Sequence, residues 1–279
     1  MAVFQKDNTA VITGGASGIG LALAKRCIQA DMLVIIADIN ADALSRAKTE
    51  LSSSPRAAVE TYRMDVGRAE DWTGLKTLVD TFLNGKISLL ALNAGTGPPS
   101  SWSTPETFTT TISTNLFGVI NGITTFLPTI QSSPYKSSII ITGSKQGITN
   151  PPGNPAYNAS KSAVRTLAEH LSYDLRDNPQ ISVHLLVPGW TFTPLAGDDG
   201  TRDKPEGAWW PAQVVEYLEA KMREGKFYVV CPDGDVSEEM DKRRMLWGVG
   251  DLVEGRPALT RWRGEWRGEV DAWMGKGDV

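Results

Sequence analysis

A chain of 279 residues, 41% hydrophobic and 22% charged, suits one globular α/β domain of roughly 250 residues with an extension. A net charge of −4 offers no broad cationic surface for nucleic acid, and no run nears the ~18 apolar residues of a membrane span, so neither partner is expected. Two cysteines (Cys27, Cys231) and two histidines (His170, His184) are too few and too scattered for a disulfide framework or zinc site; no metal is expected, and an N-terminus without a signal-peptide pattern points to the cytoplasm.

In chain order, the run TAVIT (9–13) reads as a strand, and TGGASGIG (13–20) leads from it straight into the helically spaced GIGLALAKRCIQA. Each glycine removes an obstacle at that turn. Gly14 permits the tight bend, Gly18 admits the backbone close to a diphosphate, and Gly20 brings helix and sheet together. The helix N-terminus beyond them favours an anion, so Gly14, Ser17, Gly18, Ile19 and Gly20 are candidate dinucleotide contacts. The second run, MLVIIAD (32–38), ends on Asp38, 18 positions after Gly20. A carboxylate there accepts from both adenosine ribose hydroxyls. It favours NAD(H) over the alternative NADP(H), whose 2′-phosphate would meet like charge with no cation at Ser17 or Ile39 to offset it. The competing reading of Asp38 is a helix cap, since DINADAL opens a helix.

Further runs follow at AAVETYRM (57–64), ISLLALN (87–93), SSIIITG (137–143), ISVHLLV (181–187) and FYVVC (227–231). Helically spaced stretches separate them, among them ADALSRAKTELSS, AEDWTGLKTLVDTFL, the span 156–176 and PAQVVEYLEAKMREG. Strands alternating with helices, and apolar throughout, predict a seven-stranded parallel sheet covered on both faces, a doubly wound α/β fold. The Pro- and Gly-bearing loops at 95–101 and 148–155 fall at the C-terminal ends of strands four and five, the edge where such sheets bind ligands. In YNASK (157–161), Tyr157 and Lys161 stand four apart and share a helix face. Bringing a phenol from its usual pKa of about 10 to about 7 takes roughly 4 kcal/mol, much of which a nearby ammonium supplies. Tyr157 then suits proton exchange with an alcohol or carbonyl oxygen. Taken alone, the pair equally describes a packed aromatic beside a solvated lysine.

TGGASGIG, Asp38, LNAG (92–95), Asn115, Ser144 and YNASK, in this order, resemble the short-chain dehydrogenase/reductase family over about residues 5–234. The resemblance implies a single Rossmann-type domain (1–234) and a catalytic set of Asn115, Ser144, Tyr157 and Lys161. Tyr157 would be the acid/base, Lys161 would hold the nicotinamide ribose and lower the phenol's pKa, Ser144 would orient the substrate oxygen, and Asn115 would anchor a proton-relay water. For the cofactor it adds Asp65 and Val66, the segment Asn93, Ala94 and Gly95, and Pro188, Gly189, Thr191 and Thr193 of PGWTFT. The implied activity is hydride transfer between nicotinamide and a secondary alcohol or ketone, by a homodimer or homotetramer. The same fold used for cyclisation or isomerisation, or as a non-catalytic cofactor-binding scaffold, is the alternative. Lys145 and Gln146 depart from the small residues common after the family serine, and LNAG replaces a double asparagine.

No charged clamp for a substrate carboxylate or phosphate is evident, so an apolar pocket for steroids, terpenoids, polyketides or small ketones is expected. The polar loop after strand six ends in Trp209 and Trp210, which either shield the site or seat the next helix. In the extension (235–279), Leu259, Trp262, Trp266, Val270 and Trp273 recur at steps of three and four and predict one apolar helix face. That face is expected to pack on the domain or a partner subunit and not to contact substrate. His170 and His184 read as structural.

Overall fold

The computed structural model describes residues 3–54, 56–198, 200–234 and 236–275. Seven strands, β1 (Thr9–Thr13), β2 (Leu33–Asp38), β3 (Ala58–Arg63), β4 (Leu89–Leu92), β5 (Ser137–Thr142), β6 (Ile181–Val187) and β7 (Tyr228–Val230), form one sheet. Their order is β3-β2-β1-β4-β5-β6-β7, and every pairing is parallel. The chain builds outward from β1 to β3, then returns to place β4 on the other side of β1. In the shared register, Ile12 faces Ile36 on one neighbour and Ala91 on the other. That reversal opens a crevice at the C-terminal ends of β1 and β4.

Among the described residues, ten α-helices complete the fold: α1 (Gly18–Gln29), α2 (Ala41–Leu51), α3 (Asp71–Phe82), α4 (Pro105–Ile112), α5 (Gly118–Ser132), α6 (Gln146–Thr149), α7 (Pro155–Asp174), α8 (Pro211–Arg223), α9 (Glu238–Val253) and α10 (Arg267–Met274). Alternate strand residues feed two cores, because successive side chains leave a strand on opposite faces. Ala10, Ile12, Val34, Ile36, Leu89 and Ile140 pack with α1, α2 and α8. Val11, Ile35, Leu90, Ile139, Ile141 and Leu185 pack with α3, α5 and α7, around Trp72 and Phe126. The doubly wound parallel sheet expected from the uninterrupted apolar runs is therefore the fold observed.

The extension departs from its expected form. Leu259 to Trp273 do not share one helix. Leu259 turns left-handed (φ 60°), short 3-10 turns follow at Thr260–Trp262 and Gly264–Trp266 with Arg263 extended between them, and only then does α10 begin. Buried hydrogen bonds fasten the break. The Thr260 hydroxyl accepts from Trp247 Nε1 (2.8 Å), its backbone N–H donates to Asp251 Oδ2 (3.0 Å), and Asp251 in turn meets Arg256 (3.1 Å). An unpaired buried carboxylate costs more than a few helical turns gain, so this knot overrides the apolar periodicity. Helix α9 has no clean apolar stripe, since Asp241, Arg243 and Asp251 are buried along it beside Trp247, and the sequence pattern does not reveal it.

Candidate active site

At the C-terminal end of β1 the loop to α1 is shaped by backbone. Gly14 and Gly18 hold positive φ values of 62° and 51°, conformations that suit a residue without Cβ. Ser17 stands at the N-cap of α1, leaving the first N–H groups of a twelve-residue helix facing the crevice. A Cβ at Gly20 would run into the Gly14 carbonyl oxygen and lie 2.8 Å from Asn93 Nδ2. Gly20→Ala is accordingly expected to cost about 1–3 kcal/mol through overpacking and to weaken dinucleotide binding, measured by thermal melts with and without NADH. Wild-type values for both would remove this steric account of the loop.

Asp38 ends β2 at the same edge. Its carboxylate accepts from Ala16 N (3.2 Å, Oδ2) and Asn40 N (3.1 Å, Oδ1). The helix-cap alternative goes elsewhere: Asn40 caps α2, accepting from Ala43 N at 3.0 Å. A cation also lies closer than Ser17 and Ile39 suggested. Arg63, paired with Asp38 across β2 and β3, donates to the Ile39 carbonyl at 3.4 Å.

Asn93 ties three strand ends together. Its backbone N–H donates to Thr13 Oγ1 (3.0 Å), its amide to the Thr13 carbonyl (3.2 Å), and its Oδ1 accepts from Thr142 Oγ1 (3.2 Å). Asp65 closes a local turn by accepting from Gly67 N at 2.9 Å. Thr193 approaches the glycine loop from above, with Cγ2 3.0 Å from where a Gly18 Cβ would sit.

Asn115 occupies a π-helical turn, Ser113–Phe117, between α4 and α5, the kind of local widening that re-aims a side chain. Fully buried, it accepts from Thr96 N (2.8 Å) and donates to the Thr96 carbonyl and Ser160 Oγ (both 2.9 Å). Its Oδ1 and Lys161 Nζ flank one point, at 3.4 and 3.5 Å from where a Gly95 Cβ would lie. On α7, Asn154 caps the helix and sets the rotation of the next turn. Tyr157 and Lys161 then face the crevice, the ammonium 5.8 Å from the phenol ring centroid and donating to the Thr142 carbonyl at 2.8 Å.

Electrostatics here run against one expectation. Burial pushes the Tyr157 phenol up, while the Ser144 side-chain hydrogen bond opposes it. Burial also brings Lys161 down to about 8. The expected lowering of Tyr157 by Lys161 is therefore not a property of the protein alone, because desolvation of both groups dominates.

These residues meet in one cavity of about 950 Å³, whose wall takes in all the sequence-derived candidates except Gly20 and Asn115. Gly20 acts by helix packing and Asn115 by holding Thr96. Missed by the sequence reading were Thr96, Gly97 and Trp190, and the contribution of the extension: Asp241, Arg244, Arg261 and Trp262 all face the cavity. The extension, expected to pack and not to contact substrate, therefore also lines the cavity, and charged side chains stand in a wall expected to be mostly apolar. The cause is Lys145. Its ammonium bonds Asp233 and lies 2.6 Å from Asp241, which is 1% exposed in the first turn of α9. The residue after Ser144 thus fastens the extension against the site. Trp209 and Trp210 are absent from the wall; they pack edge-on against Tyr217 and Phe192, which seats α8. His184 is buried between the Lys226 carbonyl (2.7 Å) and Ser182 Oγ (3.1 Å), and His170 is exposed on α7.

Comparison with known proteins places this geometry among relatives. The model of the short chain dehydrogenase family matches residues 8–204. An oxidoreductase, asL5, of Sarocladium schorii is 35% identical over 192 residues, covering 67% of this chain and 74% of its own. The NADP-dependent (R)-specific alcohol dehydrogenase of Lentilactobacillus kefiri is 30% identical over 198 residues, 69% and 77% of the two chains. A short chain dehydrogenase/reductase from Burkholderia phymatum, solved in complex with NAD, superposes with a TM-score of 0.81 at 25% identity, covering 93% of this chain and 98% of its own.

Proposed function

The chain belongs to the short chain dehydrogenase family, and from that premise we propose that it oxidises a secondary alcohol or reduces the corresponding ketone, with Tyr157 as acid/base and NAD(H) as preferred cofactor. The observation that carries the reading is the convergence of Ser144, Tyr157 and Lys161 on one cavity whose wall also carries the glycine loop and Asp38.

The residues fit a nicotinamide dinucleotide. The Gly14–Gly18 loop and the N-terminus of α1 suit its diphosphate, Asp38 its adenosine ribose, and Lys161 its second ribose. When bound, its nicotinamide ring gives or takes the hydride. The chain supplies the rest. Ser144 hydrogen-bonds the substrate oxygen; the Tyr157 hydroxyl gives that oxygen a proton in reduction and the phenolate takes one from it in oxidation, so charge developing on the oxygen meets groups already in place. Holding carbinol and ring in line removes much of the entropic barrier. Asn115 keeps the Thr96 backbone fixed close to Lys161.

The NAD(H) preference rests on the Asp38 carboxylate at the ribose position. Relatives do not decide it, since the Lentilactobacillus enzyme is NADP-dependent by name and the Burkholderia protein was solved with NAD. Following absorbance of NADH and NADPH with a panel of ketones tests the reaction, and no cofactor consumption with any of them would count against it. Asp38→Ala is expected to lower kcat/KM with NADH by about tenfold or more, the value of a charge-assisted hydrogen bond. It also removes the like charge that a 2′-phosphate would meet, so the preference should turn towards NADPH. An unchanged cofactor ratio would detach Asp38 from this role.

A further inference from the structure

Beyond Ser144 the cavity wall becomes charged. Lys145, Asp233, Asp241, Arg244 and Arg261 all contribute to it, three cations against two carboxylates. The carboxylates are committed. Asp233 bonds Lys145 and accepts from Trp190 N at 2.5 Å; Asp241 lies 2.6 Å from Lys145 and 3.6 Å from Arg244. Arg261 has no carboxylate within ion-pair distance among the described residues. Its guanidinium lies 4.7 Å over the Trp262 ring. Burial, and then the charge of Arg244, bring Arg261 down to about 10, with Asp241 acting the other way. A half-buried guanidinium beside a second one is the arrangement that an anion relieves, and its planar fork matches a carboxylate.

The location favours substrate over cofactor. Ser144 is followed directly by Lys145, whose partner Asp241 meets Arg244, and Arg261 lies in the same wall. These contacts begin at the residue after the serine, and the loop suited to a diphosphate lies at the N-terminus of α1. Trp190 and Trp262 are both partly exposed in the same wall and offer apolar surface to the body of a substrate.

The geometry points to a substrate that carries a carboxylate, bound by Arg261 with Arg244 as second cation while its reacting oxygen lies at Ser144 and Tyr157. This inference rests on the hydride-transfer reading and names the substrate class for it. It makes the C-terminal extension a specificity element: Arg261 selects the acid over its neutral ester.

The test uses para-acetylbenzoate and levulinate against their methyl esters, with NADH and NADPH, and calorimetric titration of para-acetylbenzoate into the protein saturated with cofactor. Wild type should prefer each acid to its ester in kcat/KM by about tenfold or more. Arg261→Gln should bring that ratio close to one and weaken the calorimetric binding by a similar factor, and Arg261→Lys should recover part of both. An acid-to-ester ratio untouched by Arg261→Gln, or esters turned over with no preference for acids, overturns the carboxylate site and leaves the hydride reading standing. Acid binding that depends on Arg261 with no cofactor consumed by any ketone upholds the carboxylate site and removes the hydride reading. Absence of both binding and turnover removes both.

Discussion

Tyr157→Phe is expected to lower kcat by about 10²–10⁴-fold, the usual share of general acid–base catalysis, with cofactor affinity nearly intact. Only the hydroxyl is lost. The ring packs beside Gly97, where an added Cβ would lie 3.0 Å from Tyr157 Cδ2, and Phe keeps that contact, so neither the loop at 95–101 nor the helix should move. Cofactor binding by fluorescence titration and turnover by absorbance separate the two effects. Turnover close to wild type would exclude the phenol as proton carrier, and an equal loss of cofactor affinity would make its role one of binding.

Lys161→Met should give the other large effect, with opposite signs in activity and stability. Lys161 is 4% exposed, and burial is the sole cause moving its pKa, from 10.5 to about 8. In the unfolded chain it titrates near its ordinary value, so between about pH 8 and 10.5 the unfolded state binds more protons and folding stability rises with pH. Above that window both states are neutral and no penalty exists. Below about pH 8 the penalty is complete, about 3 kcal/mol in order of magnitude, partly offset by about 1 kcal/mol from the hydrogen bond to the Thr142 carbonyl. A thioether of similar length removes the buried charge. Without cofactor, the Met variant should therefore melt higher than wild type at pH 7, the gap narrowing as pH climbs towards 10.5. Turnover should fall by about 10²-fold or more, since the ammonium proposed to hold the second ribose next to Tyr157 is gone. A Met variant that melts lower at pH 7 would show the ammonium to be stabilising in the free protein. Equal turnover would remove Lys161 from the mechanism. A stability cost retained for function is a familiar compromise at active sites.

Much of this molecule was legible before any coordinates. Strand positions came out within a residue or two, because residues such as Ile12 and Leu90 are buried whichever face they point to, so apolarity is continuous along a strand and stops at its ends. The glycine loop was readable because its backbone angles and the Gly20 contact tolerate no side chain. Tyr157 and Lys161 were readable because a helix places residues four apart on one face. Arg63 escaped, since its approach to Ile39 depends on the register between β2 and β3.

By itself, then, the chain's amino-acid order determined the doubly wound sheet, the crevice at the C-terminal ends of β1 and β4 and the candidate residues around it, all encoded by spacings within short windows. Only tertiary structure decided what closes the substrate end. Helix α9 buries charge instead of a hydrophobic stripe, and its place against the site depends on Lys145 meeting Asp233 and Asp241. Buried ions need partners wherever in the chain those lie, and no local periodicity records that requirement. Among the described residues, the same pairing leaves Arg261 in the wall of the cavity without a carboxylate of its own.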